Sequence, residues 1–480
     1  MKKSLLLSAL FLLLFVFANS AKAQNDSKEK YLKSLNIFID GYNKQDYSLV
    51  KKPFSGLVKM LLHKGELKLN LEARYKEYGK IIRAENIYPS EGVLILPVIY
   101  EKDTTGIEYL SLFFTKKRKI QGFYFSYDNI VYPKITDSTT IKDITNPYLS
   151  FKHHKDIDVS LVVGVYENGK ETIFCYGETA KGSGIKPDSN TLFQIGSITK
   201  VFTGILLANC INQNIVDASS LLYKFLPDSV PPLTYRGKEI TLLDLATHTS
   251  ALPGEPNNLY LPNTNKYNPF ASYQEADLLT YLKHLELTRP VGKTYEYSNT
   301  GYGLLGYILA KQRKTSYDEL LVKEICNKLN MNNTRTILNE EQNKRKVVGY
   351  FQGKQTPDFT FTPTFVGVGS IYSDVADMFK FIKANLKPEQ TAIAKDIMLA
   401  QQPHQIDKTI TMGMPWDIDS LTRYKVNVLG YSGNTAGASS VIKIVKEKNI
   451  GVVVLSNSNV PVDDIGLLVL KLLLKNQMPE

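Results

Sequence analysis

Residues 197–200 place a hydroxyl and an amine three positions apart, as Ser197-Ile198-Thr199-Lys200. On a helix, positions i and i+3 share a face, so Lys200 Nζ can reach Ser197 Oγ. Gly196 precedes the serine and a mostly apolar run, 201–207, follows the lysine, which predicts a glycine turn and a buried helix whose first turn carries Ser197. Burial can lower the pKa of a lysine enough for it to take the proton of a serine. The tetrad therefore predicts an acylable serine; the alternative is a helix N-cap.

The surroundings of the tetrad carry this prediction, because the Ser-x-x-Lys pattern recurs at Ser27–Lys30, Ser48–Lys51, Ser183–Lys186 and Ser440–Lys443. Ser27 lies in a polar segment and Ser183 in a glycine-broken loop, while no glycine turn precedes Ser48. Ser440 lies in a predicted strand, where positions i and i+3 point to opposite faces. Only Ser197 combines a glycine turn with a long apolar helix.

Tyr297 and Asn299 supply a phenol and an amide two positions apart, on the same side of an extended segment. An ammonium group nearby would stabilise a phenolate, so we expect Tyr297 to act as a general base beside Lys200. Asn299 can hydrogen-bond both Lys200 and a substrate carbonyl. The Tyr-x-Asn pattern is common, and an ordinary loop tyrosine is the alternative.

A third group of polar residues lies in the run 430–437, which contains Tyr431, Ser432, Gly433 and Asn434 and leads into the C-terminal strands. Glycine beside a strand lets a substrate backbone approach closely. A backbone N–H in this run can complete an oxyanion hole with the N–H of Ser197. Without the other two motifs, a glycine-rich turn is the simpler interpretation.

Other chemistries lack their motifs. The sequence contains no G-x-S-x-G, H-E-x-x-H or P-loop pattern. His153 and His154 are adjacent and cannot easily share one metal. His248 is expected to have a structural role, bonding loop backbone. We therefore expect neither a metal nor a cofactor.

The N-terminus predicts export. Lys2-Lys3, an apolar run from Leu5 to Ala18 and the site Ala21-Lys22-Ala23 are typical of a secretory leader, residues 1–23, cut before Gln24. The alternative, a membrane anchor, is disfavoured because the run is short for a span, so no stable membrane insertion is expected. The chain is predicted to be periplasmic or secreted.

Charge and cysteine content exclude two classes of protein. The formal charge of +11 comes from scattered lysines rather than a basic stripe, so nucleic-acid binding is not expected. Cys175, Cys210 and Cys326 form no disulfide framework and are predicted to be buried free thiols.

The order of elements predicts two domains. Residues 24–135 read as helices followed by strands at Ile81–Ile87, Val93–Tyr100, Ile107–Phe114 and Ile120–Tyr127, a small α+β domain similar to the NTF2-like fold. Residues 136–154 read as a linker. In residues 155–480, an Asn168-Gly169 hairpin opens the domain and strands return near its end, so the first and last strands are expected to pair. Helices fill the interval between them.

Together these motifs resemble the serine β-lactamase and penicillin-binding-protein superfamily, in particular its class C-like branch of esterases, D-amino-acid peptidases and DD-carboxypeptidases. The match runs over about residues 155–475 and includes Phe193–Lys200, Leu242–Pro253, Tyr297-Ser298-Asn299, the segment 367–378 and the segment 430–440. The resemblance implies an α+β fold with an antiparallel sheet flanked by helices and an all-helical region.

The resemblance also implies roles for the motif residues. Ser197 would be the nucleophile, Lys200 and Tyr297 its activating pair, and Asn299 a contact of substrate and lysine. Tyr431-Ser432-Gly433 stands where the family usually has Lys-Thr-Gly or His-x-Gly, while the oxyanion hole would use the backbone of Ser197 and Asn434. A phenol brings no positive charge, which disfavours β-lactam hydrolysis and favours ester, amide or D-amino-acid peptide substrates.

Three functions remain open at this point. The first is a serine hydrolase acting on a small-molecule or peptide substrate, such as one derived from the cell wall. The second is a non-catalytic protein of the same fold that binds a cell-wall peptide or a protein partner. The third places the main function in the N-terminal domain.

Overall fold

The chain divides into two units, residues 1–131 and 132–480. The computed structural model describes residues 28–55, 68, 71–72, 74–76, 79–84, 88–90, 93–100, 108–114, 120–126, 130, 132–151, 154, 157–260, 264–265 and 268–477. The predicted leader lies outside these residues. Among the helices described, none is both long and apolar enough to cross a membrane.

The first unit has helices followed by an antiparallel sheet. Helix α1 spans Lys28–Asn43 and α2 spans Tyr47–Lys51, where the Asp46 carboxylate caps α2 by accepting from the backbone N–H groups of its first turn. The strands are β1 (Ile81–Ala84), β2 (Tyr88–Ser90), β3 (Val93–Tyr100), β4 (Glu108–Phe114) and β5 (Ile120–Ser126), in the order β1-β3-β4-β5 with β2 paired to β3. This α+β arrangement agrees with the sequence prediction. The similarity to NTF2-like proteins stays a prediction.

An eight-stranded antiparallel sheet organises the second unit. Its strands are β6 (Leu161–Glu167), β7 (Lys170–Tyr176), β14 (His404–Gln405), β15 (Thr411–Met412), β16 (Asp417–Leu421), β17 (Val426–Asn434), β18 (Ser439–Val445) and β19 (Ile450–Ser456). They run in the order β14-β15-β16-β17-β18-β19-β6-β7.

Short two-stranded ladders accompany this sheet. They are formed by β8 (Phe193–Gln194) with β13 (Tyr372–Ser373), β9 (Thr234–Tyr235) with β10 (Lys238–Glu239), and β11 (Gly349–Phe351) with β12 (Lys354–Thr356).

The predicted closure of the sheet is confirmed. β19 pairs with β6 from Ile450–Glu167 to Ser456–Leu161, so the last strand lies beside the first. The hairpin between β6 and β7 turns at Asn168 and Gly169, whose φ angles of 50° and 94° are those of a two-residue turn that favours asparagine and glycine.

Helices cover the sheet and build the region between its halves. In chain order they are α3 (Ile141–Leu149), α4 (Thr199–Asn212), α5 (Leu242–Ala246), α6 (Glu275–Lys283), α7 (Asn299–Arg313), α8 (Tyr317–Leu321), α9 (Glu340–Lys344), α10 (Val366–Gly369), α11 (Val375–Leu386), α12 (Ala394–Ala400) and α13 (Asp463–Asn476). The predicted all-helical interval therefore exists, interrupted by short ladders.

Helix α3 lies inside the interval 136–154 that the sequence suggested as a linker. It packs against α13, and the hydroxyl of the buried Tyr148 lies 2.8 Å from Ser456 Oγ and donates to Val460 O at 3.0 Å. The interval thus contains a helix of the second unit. The polar segment Thr136–Thr140 before the helix and the pair Asn146-Pro147 within it suggested a linker, because surface turns and linkers share the same residue types.

Helix α4 crosses the core of the second unit. Every residue from Thr199 to Cys210 is buried, and Phe202 stacks on Phe381 of α11 with ring centroids 4.3 Å apart. A helix that is apolar on all sides needs partners on all sides, and here α7, α10 and α12 pack against it. The residue pair at its head is therefore held in a rigid setting.

The thiol prediction is correct for two of the three cysteines. Cys210 and Cys326 are buried, whereas Cys175 is exposed. Cys175 lies on β7, the edge strand of the sheet, whose residues are only partly covered or exposed. The strand-like pattern around Cys175 gave no sign that the strand lies at an edge.

Candidate active site

Ser197 lies in a single 3₁₀ turn, Gly196–Ile198, that runs directly into helix α4. The prediction placed it in the first turn of the α-helix itself. Gly196 has a φ of +49°, and a Cβ at this position would lie 2.7 Å from the backbone nitrogen of Asn434. Glycine is required here, since both the conformation and the close approach exclude a side chain. The turn presents the serine at the end of strand β17.

Lys200 is completely buried directly behind the serine. Its Nζ lies 3.0 Å from Ser197 Oγ and donates to the carbonyl of Val368 at 2.9 Å. Burial holds the pKa of Lys200 well below its usual value, and the carboxylate of Glu255 partly opposes this shift. The lysine is thus placed and tuned to accept a proton from the serine.

The hydroxyl of Tyr297 lies 2.6 Å from Ser197 Oγ, on the other side from Lys200. The Lys200 amine also lies 4.8 Å from the centre of the Tyr297 ring. Tyr297 is 36% exposed as a whole, but the protein atoms packed around its hydroxyl raise its pKa, and the hydrogen bond with Ser197 only partly offsets this. The sequence predicted a phenolate stabilised by the Lys200 ammonium. The raised pKa of Tyr297 instead favours the protonated phenol.

Ser298 fixes the position of Tyr297. It is the N-cap of α7, where its Oγ accepts from the N–H of Gly301 at 2.9 Å and donates to Pro253 O at 2.7 Å. Its own backbone N–H donates to His248 Nδ1 at 3.0 Å. Tyr297 therefore precedes a helix start that is tied to two other loop residues.

His248, in the loop after α5, links Ser298 to the third motif. The bond from Ser298 confirms the predicted role of His248 in holding loop backbone. Because Nδ1 accepts that bond, Nε2 carries the proton and donates to the Tyr431 hydroxyl, 3.2 Å away. The imidazole lies 4.8 Å from the Tyr297 ring, and burial lowers its pKa well below the usual value, with Lys200 contributing.

The third motif packs against the serine turn. Tyr431 is buried, while the half-buried Ser432 donates from its Oγ to the carboxylate of Asp463. A Cβ on Gly433 would lie 2.8 Å from Ser197 N and 2.7 Å from Ser440 Oγ. Asn434 is exposed at the end of β17. The backbone of Gly433 and Asn434 therefore abuts the backbone of Gly196 and Ser197, the two segments predicted to share an oxyanion hole.

Asn299 does not make its predicted contact with Lys200. Among the described residues, its Nδ2 faces Glu255 Oε1 at 3.5 Å, while its Oδ1 is buried without a hydrogen-bond partner. Asn299 is the first residue of α7, and its backbone N–H donates to Gly254 O at 2.8 Å. The helix start thus turns the amide toward the loop 253–255 rather than toward the lysine.

Three residues near Ser197 were not predicted from the sequence: Glu255, Asp417 and Val368. Glu255 follows the segment Leu242–Pro253 and influences both Lys200 and Tyr297 electrostatically. Asp417 lies on β16 opposite Gly430, and burial raises its pKa to about 7. Val368 contributes only a carbonyl. An isolated acidic residue or a backbone carbonyl belongs to no spaced motif, so the sequence does not single it out. Only Glu255 could have been suspected, because it lies just after the recognised segment Leu242–Pro253.

Comparison with known proteins identifies the family to which this chain belongs. The beta-lactamase family model matches residues 156–474. The chain is 27% identical over 331 residues to the D-alanyl-D-alanine-carboxypeptidase/endopeptidase AmpH of Escherichia coli strain K12, covering 66% of this chain and 84% of that protein. It is 24% identical over 356 residues to a beta-lactamase of Providencia stuartii, covering 67% and 87%. It is also 27% identical over 309 residues to protein flp of Staphylococcus aureus strain MRSA252, covering 62% and 58%.

The matched segment contains the eight-stranded sheet and the Ser197–Lys200–Tyr297 cluster. It spans more than half of the chain, from the residues before β6 into α13. The chain therefore belongs to the beta-lactamase family, within the serine hydrolases of the β-lactamase and penicillin-binding-protein type.

Proposed function

We propose that this protein is an exported serine hydrolase that forms an acyl-enzyme at Ser197 on ester, amide or D-amino-acid peptide substrates. One observation carries the proposal: Ser197 Oγ lies within 3.0 Å of a fully buried amine and 2.6 Å from a phenol. A hydroxyl between a neutral base and a protonated acid is poised for nucleophilic attack. Export rests on the predicted leader.

The two neighbours of Ser197 suggest how protons move. Ser197 attacks the substrate carbonyl while its proton passes to the neutral amine of Lys200. Tyr297, protonated because burial raises its pKa, donates its proton to the leaving group and recovers one from Lys200. In deacylation the same path runs in reverse, so that a water molecule near Tyr297 is activated. The developing oxyanion would be stabilised by the N–H groups of Ser197 and Asn434.

The third motif favours peptidase or esterase substrates over β-lactams. Tyr431 and His248 bond to each other, and burial keeps both uncharged near neutral pH. The motif therefore presents no cation to a substrate carboxylate. Of the relatives named above, one is a D-alanyl-D-alanine carboxypeptidase/endopeptidase and another is a beta-lactamase. Slow penicillin acylation with faster ester or peptide turnover is the expected balance.

The test is covalent labelling followed by intact-mass measurement. A fluorophosphonate probe should add one equivalent to the wild-type protein, and Ser197→Ala should remove it. Ser183→Ala is the matched control, because Ser183 heads another Ser-x-x-Lys sequence in an exposed loop. Folded wild-type protein that stays unlabelled would favour the non-catalytic alternative, in which the cleft binds a cell-wall peptide or partner without turnover.

A further inference from the structure

The loop 253–255 carries a carboxylate to the edge of the proposed active site. Gly254 contacts Tyr297, since a Cβ on Gly254 would lie 3.5 Å from Tyr297 O, and its carbonyl accepts from the N–H of Asn299. Glu255 follows directly and is half-buried. Its charge acts on both Lys200 and Tyr297. The carboxylate is therefore close to the atoms that hold Ser197.

Hydrogen bonds orient the Glu255 carboxylate but do not neutralise it. Oε2 accepts from the hydroxyl of Tyr260 at 2.8 Å, and Oε1 faces Asn299 Nδ2 at 3.5 Å. Both partners are uncharged donors. Among the described residues, no lysine, arginine or histidine forms an ion pair with Glu255. A half-buried carboxylate without a cation attracts a positively charged ligand.

The amide of Asn299 adds a second acceptor to the same place. A carboxylate only accepts hydrogen bonds, so Asn299 must turn its NH₂ toward Glu255 and its Oδ1 away. That oxygen is buried and has no partner among the described residues. A buried acceptor without a donor is unfavourable, and a ligand N–H would satisfy it. The charged groups acting on Tyr297 are likewise acidic, namely Glu255 and Asp417.

We propose that Glu255 and Asn299 form an acceptor-only subsite that selects acyl groups bearing a protonated amine near the scissile carbonyl. The inference rests on the proposed serine hydrolase and specifies its substrate class. The amine belongs either to the acyl residue itself, as in an amino-terminal D-amino acid, or to the residue or side chain next to it. Neutral acyl groups react without this attraction.

The experiment uses two substrate pairs that differ in one amine, at about pH 6.5, where an α-amino group is protonated. D-alanine p-nitroanilide against its N-acetyl derivative places the amine beside the scissile carbonyl, and hydrolysis is followed. Ampicillin against benzylpenicillin places it one group further away, and acylation of Ser197 is followed by intact mass. The wild type should prefer the amine-bearing member of at least one pair by about tenfold in kcat/KM or acylation rate. The pair that shows the preference identifies the position of the amine.

Glu255→Gln should reduce this preference to near unity by slowing only the amine-bearing member, and Glu255→Asp should restore part of it. Glu389→Gln, at an exposed acid elsewhere in the second unit, should leave it unchanged. An equal loss for both members, or an unchanged ratio, overturns the subsite while a labelled Ser197 leaves the hydrolase standing. A wild type that fluorophosphonate does not label overturns both.

Discussion

The Nε2 of His248 and the hydroxyl of Tyr431 lie 3.2 Å apart, although 183 positions separate them in the chain. The pair stands beside the Tyr297 ring, where the family motif usually has a lysine or histidine. The imidazole comes from the loop after α5 and the phenol from β17. The chain thus keeps an imidazole near Tyr297, but from a different segment and in a neutral state.

Tyr431→Phe tests the importance of this bond. The substitution leaves the buried His248 Nε2–H without an acceptor, so we expect the free energy of unfolding to fall by about 1–3 kcal/mol. Urea denaturation of the second unit measures this change. Tyr350→Phe is the control substitution. It also removes a tyrosine hydroxyl that forms a hydrogen bond, but that hydroxyl accepts from the N–H of Lys181 in a partly buried position rather than a buried one. A Tyr431→Phe protein as stable as the wild type would mean that the bond contributes little.

The pH dependence of kcat/KM should report Lys200. Because the lysine must be neutral to accept a proton and burial lowers its pKa, activity should rise with pH along a limb centred well below 10.5. Activity should decline only at strongly alkaline pH, since the pKa of Tyr297 is raised and its proton is retained longer. A rising limb centred near 10.5 would contradict a lowered lysine pKa.

Lys200→Arg tests whether the serine requires a neutral base at position 200. A guanidinium stays charged at every accessible pH, so the serine loses its base and kcat/KM should fall by about a hundredfold to ten-thousandfold. Lys186→Arg, in the exposed Ser183 tetrad, should change nothing. Circular dichroism would establish that the Lys200→Arg protein is folded, and wild-type activity in that folded variant would remove Lys200 from the mechanism.

Gly433→Ala should damage the oxyanion site. The added methyl would meet Ser197 N at 2.8 Å and Ser440 Oγ at 2.7 Å, so β17 must move away from the serine turn. We expect a loss of about 10²–10³-fold in kcat, the usual effect of removing one oxyanion donor. Gly182→Ala is the control, because no atom lies within 4 Å of a Cβ there and the strain from its φ of +72° falls on an exposed loop. Equal activities of the two variants would show that this contact is not needed.

Thiol titration checks the exposure of the cysteines. Cys175 is exposed, whereas Cys210 and Cys326 are buried, so Ellman's reagent should modify one thiol in the native protein and three after unfolding. Partial burial raises the pKa of Cys175, and its reaction at pH 7 should therefore be slow. Cys175→Ser should abolish the native reaction. Three reactive thiols in the native state would contradict the burial of Cys210 and Cys326.

Local patterns in the sequence were sufficient for several parts of this protein. The Ser-x-x-Lys spacing, between a glycine turn and an apolar helix, predicted the contact between Ser197 and Lys200, because one helical turn brings positions i and i+3 together. The Asn168-Gly169 turn predicted its hairpin for the same reason. The resemblance to the family brought in Tyr297, which lies 100 positions from Ser197 and meets it at 2.6 Å.

Tertiary packing decided what the local patterns left open. The protonation of Tyr297, the turning of Asn299 toward Glu255 and the pairing of His248 with Tyr431 all depend on segments that meet only after folding. A pKa is set by burial and by neighbouring charges, and a side chain's partner is set by the backbone that orients it. The sequence alone therefore determined which groups can react, and the fold determined their charge states and their hydrogen-bond partners.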